Sequence, residues 1–290
     1  MKINQRVYDL YDEYCHGRLD RREFLQRAGA LTIGGVSALA MAQALMPRYA
    51  RAQTISAKDP RIQAKYVTYP SPGGNSGRMR GYLVRPAGSG PFPAVLVIHE
   101  NRGLNPYIED VARRAAVEGF LALAPDGLSP VGGYPGNDDD GRALQSSLDE
   151  AKLRTDMANS ARFLKSHKLS SGKLGVTGFC WGGGTTNFLA TVLGAELQAG
   201  APFYGAAAET AGVPKIKAPL LIHYAATDER INAMWPAFEA ALKANGVPHQ
   251  MHMYPGTQHG FHNNSTPRYN DAAAKLAWER TVAFFRKNLV

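Results

Sequence analysis

Four apolar runs constrain this chain more than any other feature: FPAVLVIHE, GFLALAPD, KLGVTGF and APLLIHYAATD. Each is nearly continuous rather than alternating, as a strand covered on both faces requires. Helical periodicity fills the gaps between them. Ile108, Val111, Ala112 and Ala115 fall on one face of a segment from Ile108 to Glu118, and further helices are expected over Leu148–Ser166, Gly183–Leu193, INAMWPAFEAALKANG and Asp271–Asn288. Strands alternating with helices of this length give an α/β domain with a mostly parallel, doubly wound sheet. AKYVTYP and RMRGYLVRP alternate polar with apolar residues and open the sheet as an antiparallel pair, AGAPFYG adds a strand, and HQMHMYP closes the sheet. The longest irregular stretch, Gly127–Gly141, is dense in turn formers and is expected to wall or cover a pocket.

Ahead of this pattern lies a different kind of segment. Arg21 and Arg22 precede Phe24 and Leu25, a moderately apolar run follows from Ala28 to Met46, and ARA closes the segment at Ala50–Ala52. That layout is expected to be a twin-arginine export signal, removed near Ala52, with the mature protein periplasmic or secreted and the membrane met only in transit. A retained membrane anchor is the alternative, since the run approaches the roughly 18 residues at which a spanning helix becomes possible. Residues 1–52 are therefore set apart from a single domain over 53–290. The whole chain has 33 Lys and Arg against 24 Asp and Glu; eight and five of these lie in the leader, so a surplus of six remains. It forms no basic run and no basic–aromatic array, which excludes a nucleic-acid surface.

Removal of the leader would take Cys15 with it and leave Cys180 as the one cysteine. Cys180 follows the strand KLGVTGF, with Gly178 two residues before it and Gly182 two after. A nucleophile elbow needs that spacing, because the nucleophile occupies a strained turn that side chains two positions away would obstruct. A helix starting at the following glycines would aim its positive end at the sulfur and favour thiolate. Packing as a small buried hydrophobe is the plainer role for such a cysteine. Two later residues argue for chemistry: APLLIHYAATD ends at Asp228, 48 residues on, and His259 follows the last strand after another 31. Nucleophile, acid and histidine in that order, each after a strand, reach one sheet edge, where open α/β sheets bind ligands. Glu229 and His262 are rivals for the two roles; His223 and His252 fall inside strands and are assigned to the core or surface. Glu100 ends an apolar strand, facing the site or pairing with Arg102. The amides of Asn101 and Trp181 are the expected oxyanion donors.

VIHENRGL, GFLALAPD, KLGVTGFCWGG, TDERI and GTQHGF together resemble the dienelactone hydrolase family, the carboxymethylenebutenolidases, from about Tyr66 to the C-terminus. The resemblance implies an α/β-hydrolase fold and a triad of Cys180, Asp228 and His259, with Glu100 holding the resting thiol neutral until substrate binds. It also implies arginines that grip a substrate carboxylate. Here HGFHNN follows the histidine, and Arg268 is the first basic residue after it, while Arg142 and Arg154 are candidates on the other side. The expected function is hydrolysis of a small-molecule ester or lactone through a thioester on Cys180, with no metal or organic cofactor. A non-catalytic binding protein on this fold and a thiol redox protein are the alternatives.

Overall fold

The computed structural model describes residues 4–31 and 45–290 of the 290-residue chain. Eight strands form one sheet: β1 (Ile62–Ser71), β2 (Gly77–Pro86), β3 (Phe92–Ile98), β4 (Leu121–Asp126), β5 (Ser170–Phe179), β6 (Ala199–Phe203), β7 (Leu220–Thr227) and β8 (His249–Gln258). Their order across the sheet is β1-β2-β4-β3-β5-β6-β7-β8. β1 and β2 pair antiparallel and β2 meets β4 antiparallel, while every other neighbouring pair is parallel. The four continuous apolar runs are β3, β4, β5 and β7, all in the body of the sheet, and β3 and β4 are buried along nearly their whole length. Helices on both faces account for this: the side chains of each buried strand leave water in both directions.

Apart from a single turn at Tyr49–Ala52, the α-helices among the described residues, beginning with the N-terminal pair, are α1 (Gln5–Cys15), α2 (Arg21–Ala30), α3 (Pro106–Val117), α4 (Asp138–Ser146), α5 (Glu150–Lys165), α6 (Trp181–Leu193), α7 (Glu229–Asn232), α8 (Trp235–Ala244) and α9 (Asp271–Leu289). Two cores lie on opposite faces of the sheet. Leu96, Ile98, Leu153, Met157 and Leu189 belong to one, and Val95, Val97, Ile108, Val111 and Phe285 to the other.

Two segments depart from the sequence reading. The stretch expected to be irregular through Gly141 turns helical at Asp138. Asn137 caps α4 by accepting the Asp140 amide, and Asp138, Asp139 and Asp140 occupy its first turn, where carboxylates complement the helix dipole. The same run of Asn and Asp that reads as turn chemistry is thus a helix start. The leader segment is folded as well: α1 and α2 pack on each other through Val7, Tyr11, Tyr14, Phe24 and Ala28, with the Tyr14 and Phe24 rings stacked at 5.1 Å. Asp20 and Glu23 close α2 with a reciprocal capping box. Most of the apolar run from Ala28 to Met46 lies outside the described residues; among those described, no helix is long and apolar enough to cross a membrane.

Candidate active site

The carboxyl ends of β5, β7 and β8 deliver Cys180, Asp228 and His259 to one edge of the sheet. Cys180 has φ 56° and ψ −113°, a conformation that side chains rarely adopt. Its neighbours must be small: a Cβ on Gly178 would lie 2.3 Å from the Gly182 carbonyl oxygen, and one on Gly182 would lie 2.4 Å from that of Ile98. The turn is fixed by the Cys180 amide donating to Phe203 and the Gly184 amide donating to Cys180 (both 3.1 Å). α6 starts at Trp181, two residues earlier than its sequence pattern suggests, so the sulfur stands directly at its N-terminus.

Asp228 Oδ2 lies 2.6 Å from His259 Nδ1, and both residues are buried. The sulfur of Cys180 and a ring nitrogen of His259 are within 4.8 Å of each other, and His259 Nε2 has no hydrogen-bond partner in the structure. The rivals are disposed differently. Glu229 is exposed. His262 is buried among aromatics with Nδ1 2.7 Å from the Tyr107 hydroxyl, and burial pushes its pKa well down. His223 is locked between Tyr254 and Thr281, a core histidine as expected.

A third group reaches the sulfur, and it comes from the segment read as a leader. His16, at the end of α1, places Nε2 3.5 Å from Cys180 Sγ, and its ring stands edge-on to His259 at 5.2 Å. Burial pushes the Cys180 thiol up, but the imidazoles of His259 and His16 outweigh it and hold the pKa well below the usual thiol range. For His259, burial favours the neutral ring, and Asp228, Cys180 and Asp12 overcome that to raise its pKa. The sulfur and the two imidazoles thus each favour the charged form of the other. The ligand atoms of His16, Cys180 and His259 all lie within 4.8 Å of one another.

Of the two arrangements expected for Glu100, the structure shows the one beside Arg102. Glu100 is buried behind the cleft, its Oε2 accepts from Asn263 Nδ2 at 3.0 Å, and Arg102 Nε lies 3.9 Å away. Burial raises its pKa, Arg102 opposes, and the Cys180 charge raises it further, so Glu100 feels the sulfur without bonding to it.

The two expected oxyanion donors line one cleft with Cys180 and His259. The Trp181 amide opens α6 and has no helical carbonyl to accept it. Asn101 follows β3, and its side chain donates to the Cys15 carbonyl at 2.6 Å. Between them stands His99, which the sequence reading passed over. Its Nδ1–H donates to the Glu100 carbonyl (2.5 Å), its Nε2 accepts the Gly127 amide (3.1 Å), and its ring stacks on Trp181. A histidine ending a strand beside Glu100 was the available signal.

The cleft has a volume of about 450 Å³. Gln145, Ser146 and Leu148 form part of its wall, so the wall follows Gly127–Gly141 rather than being that segment. Arg154 and Arg230 face it, each with a buried Nε lacking a partner. Arg142 and Arg268 do not line it; they pair with Asp139 and Asp12.

The dienelactone hydrolase family model matches residues 79–289, and a second, described as YqhI-like, matches residues 1–32. The chain is 64% identical to the "Putative hydrolase fragment YghX" of Escherichia coli strain K12 over 115 residues, which is 39% of this chain and 97% of that protein. It is 30% identical over 249 residues to the "Putative carboxymethylenebutenolidase" of the same organism, covering 80% of this chain and 90% of the relative. Among solved structures it is similar to a dienelactone hydrolase-like promiscuous phosphotriesterase from metagenomic libraries, at 26% identity and a TM-score of 0.69, covering 79% of this chain and all of that one. On its matched residues, its α/β-hydrolase fold and these relatives, the chain belongs to the dienelactone hydrolase family.

Proposed function

We propose that this hydrolase cleaves a small ester or lactone through a thioester on Cys180, with Asp228 and His259 completing a triad. The observation that carries the reading is a strained, glycine-flanked sulfur whose pKa is depressed by a histidine that Asp228 orients. The Cys180 thiolate attacks the carbonyl carbon, and the amides of Trp181 and Asn101 receive the developing oxyanion. As the C–O bond breaks, the leaving alkoxide takes its proton from His259 Nε2. His259 then deprotonates water, hydroxide attacks the thioester, and the S–C bond breaks to return the thiolate.

Leu148, Leu153 and Trp181 give the cleft apolar walls, while Arg230 and Arg154 supply cationic groups, the latter paired at 2.6 Å with Glu150 of the same lining. A small substrate with an apolar body and an anionic group fits this lining, with these two arginines in place of one after His259. A panel of esters and lactones, with and without a carboxylate, assayed against wild type and Cys180→Ala tests the reading. Turnover lost in the variant and faster on anionic substrates supports it; equal turnover in the variant rejects it.

A resting thiolate also favours a second reading, reduction of a peroxide. The thiolate would cleave the O–O bond of hydrogen peroxide to give a sulfenate and water, two equivalents of an external thiol would reduce the sulfenate back through a mixed disulfide, and thiol-dependent peroxide consumption exceeding ester turnover would select this reading. Export is a separate proposal. Arg21 and Arg22 head α2 and are exposed, and replacing both by lysine should trap the protein in the cytoplasm.

A further inference from the structure

We propose that the helix pair α1–α2 is a resident wall of the active site, in which His16 acts on the Cys180 sulfur as a second imidazole. The inference rests on the hydrolase reading only for its consequence in turnover.

The contact is built from both sides. His16 Nε2 lies 3.5 Å from the sulfur, while Nδ1 faces the Asp12 carbonyl at 2.7 Å and its carboxylate at 3.3 Å. His16 also ends α1, where the helix dipole favours a cation. Asp12, His16, Cys180, His259 and Asp228 therefore run as an alternating series of charges across the site. Asp12 carries a pKa pulled down from the usual range: burial pushes it up, and His259, His16 and Arg268 outweigh that. Arg230 stands to the side with Nη2 3.0 Å from His16 Nε2. Burial and the His259 ring oppose a positive His16, whereas the Cys180 sulfur and Asp12 favour one and leave its pKa raised.

The body is shaped to receive this pair. Asn101, a proposed oxyanion donor, gives its side-chain amide to the Cys15 carbonyl. Arg268 is buried against Asp12 at 3.4 Å and lies over the Tyr11 ring at 4.9 Å. Tyr14 bonds Asp139, Arg142 lies over the Tyr14 ring at 4.3 Å, and Gln258 donates to Gln5. Cleavage at Ala52 would strip the acceptor from Asn101, the carboxylate from Arg268 and one imidazole from the sulfur. Losing the partner of a charge that is buried in the assembled protein is costly. In turnover no proton passes through His16: the alkoxide is protonated by His259, and the sulfur expelled from the thioester returns as thiolate beside both rings.

The test is the pH profile of iodoacetamide alkylation of Cys180 in the full-length protein, where the thiolate displaces iodide. Wild type is compared with His16→Ala and His16→Gln, the second keeping bulk and hydrogen bonding without a charge. Both variants should shift the onset of alkylation upward by at least about one pH unit, so that the rate at pH 6 falls about tenfold while rates at pH 10 converge. Circular dichroism and Tm near wild type keep misfolding from imitating this. An unchanged profile overturns the proposal. So does faster alkylation and ester turnover at every pH, which would make His16 a plug, or an active protein from a twin-arginine-competent bacterium whose intact mass begins near Gln53. The hydrolase reading fails on different data, ester turnover in Cys180→Ala, and the alkylation profile stands whatever that result.

Discussion

His259 and His16 meet the same sulfur, each with Nδ1 turned toward an aspartate, yet they come from regions held together in different ways. His259 follows β8 of the parallel sheet; its partner Asp228 follows β7, and the two strands are in register over most of their length. His16 ends an eleven-residue helix whose core is its own, and it is attached to the body by polar side chains such as Asn101, Arg268 and Tyr14. The sheet histidine cannot leave without breaking strand pairing. The helix histidine is held by side-chain contacts alone, among them the buried Arg268–Asp12 pair, and no strand pairing fixes it. In the proposed mechanism the proton transfers therefore fall to His259 and charge stabilisation to His16.

The sharpest way to break that assignment is to exchange the losses. His259→Ala should lower kcat on a good ester by a factor on the order of hundreds or more, because no other base is oriented to take the proton from water. Stopped-flow or steady-state assay of the purified variant measures it, and near-wild-type turnover would move the base role to His16. Asp228→Asn should follow with a loss of about a hundredfold, read in kcat at the pH optimum, since an amide can support the wrong ring tautomer.

A third histidine sharpens the contrast through stability. His99 is fully buried, and burial pushes its pKa down to about 4, with the Glu100 carbonyl opposing. In the unfolded chain it takes a proton below about 6.5. The unfolded state then binds a proton that the folded state refuses, so stability falls as pH drops from about 6.5 to about 4, by on the order of 3 kcal/mol. His16 and His259 have raised values and act oppositely: their contribution is complete below the unfolded pKa and is lost as pH rises through the folded one. Urea unfolding at pH 7 and pH 4.5 should show His99→Gln losing less stability on acidification than wild type. An identical slope would mean that His99 is already protonated in the fold.

What could be read in advance divides along the same line. The body was legible because burial writes itself into sequence: β3, β4, β5 and β7 are the continuous apolar runs, and Gly178 and Gly182 mark a turn whose carbonyls leave no space for a Cβ. Asp228 and His259 could be placed because each lies just past a strand. The N-terminal pair was not legible as part of the site. Its Arg–Arg pair and Ala-rich run match an export layout, and nothing local in YDEYCHGRLD reports that His16 meets a sulfur 164 residues away. Arg230 was hidden for a similar reason: it adjoins the rejected rival Glu229, and only the tertiary fold turns it to the cleft. For Glu100 the neighbour Arg102 could be read from the sequence, but its hydrogen-bond partner Asn263, 163 residues on, could not.

The smallest effect is the most discriminating between the two histidines. Asp12 and Asp228 each face an Nδ1, so the same change, aspartate to asparagine, can be made behind both rings. At Asp228 the carboxylate is the contact that orients the base. At Asp12 the nearer acceptor is the backbone carbonyl, which the substitution leaves in place, while the carboxylate at 3.3 Å supplies mainly charge. The Asp12→Asn ring should therefore keep its position and lose only part of its preference for the proton. Alkylation of Cys180 at pH 6 is expected to slow about threefold, in line with a single partly screened charge pair, and kcat at pH 8 should change less than about twofold. A loss of kcat matching that of Asp228→Asn would show that His16 is oriented for proton transfer and that the two histidines share the base role.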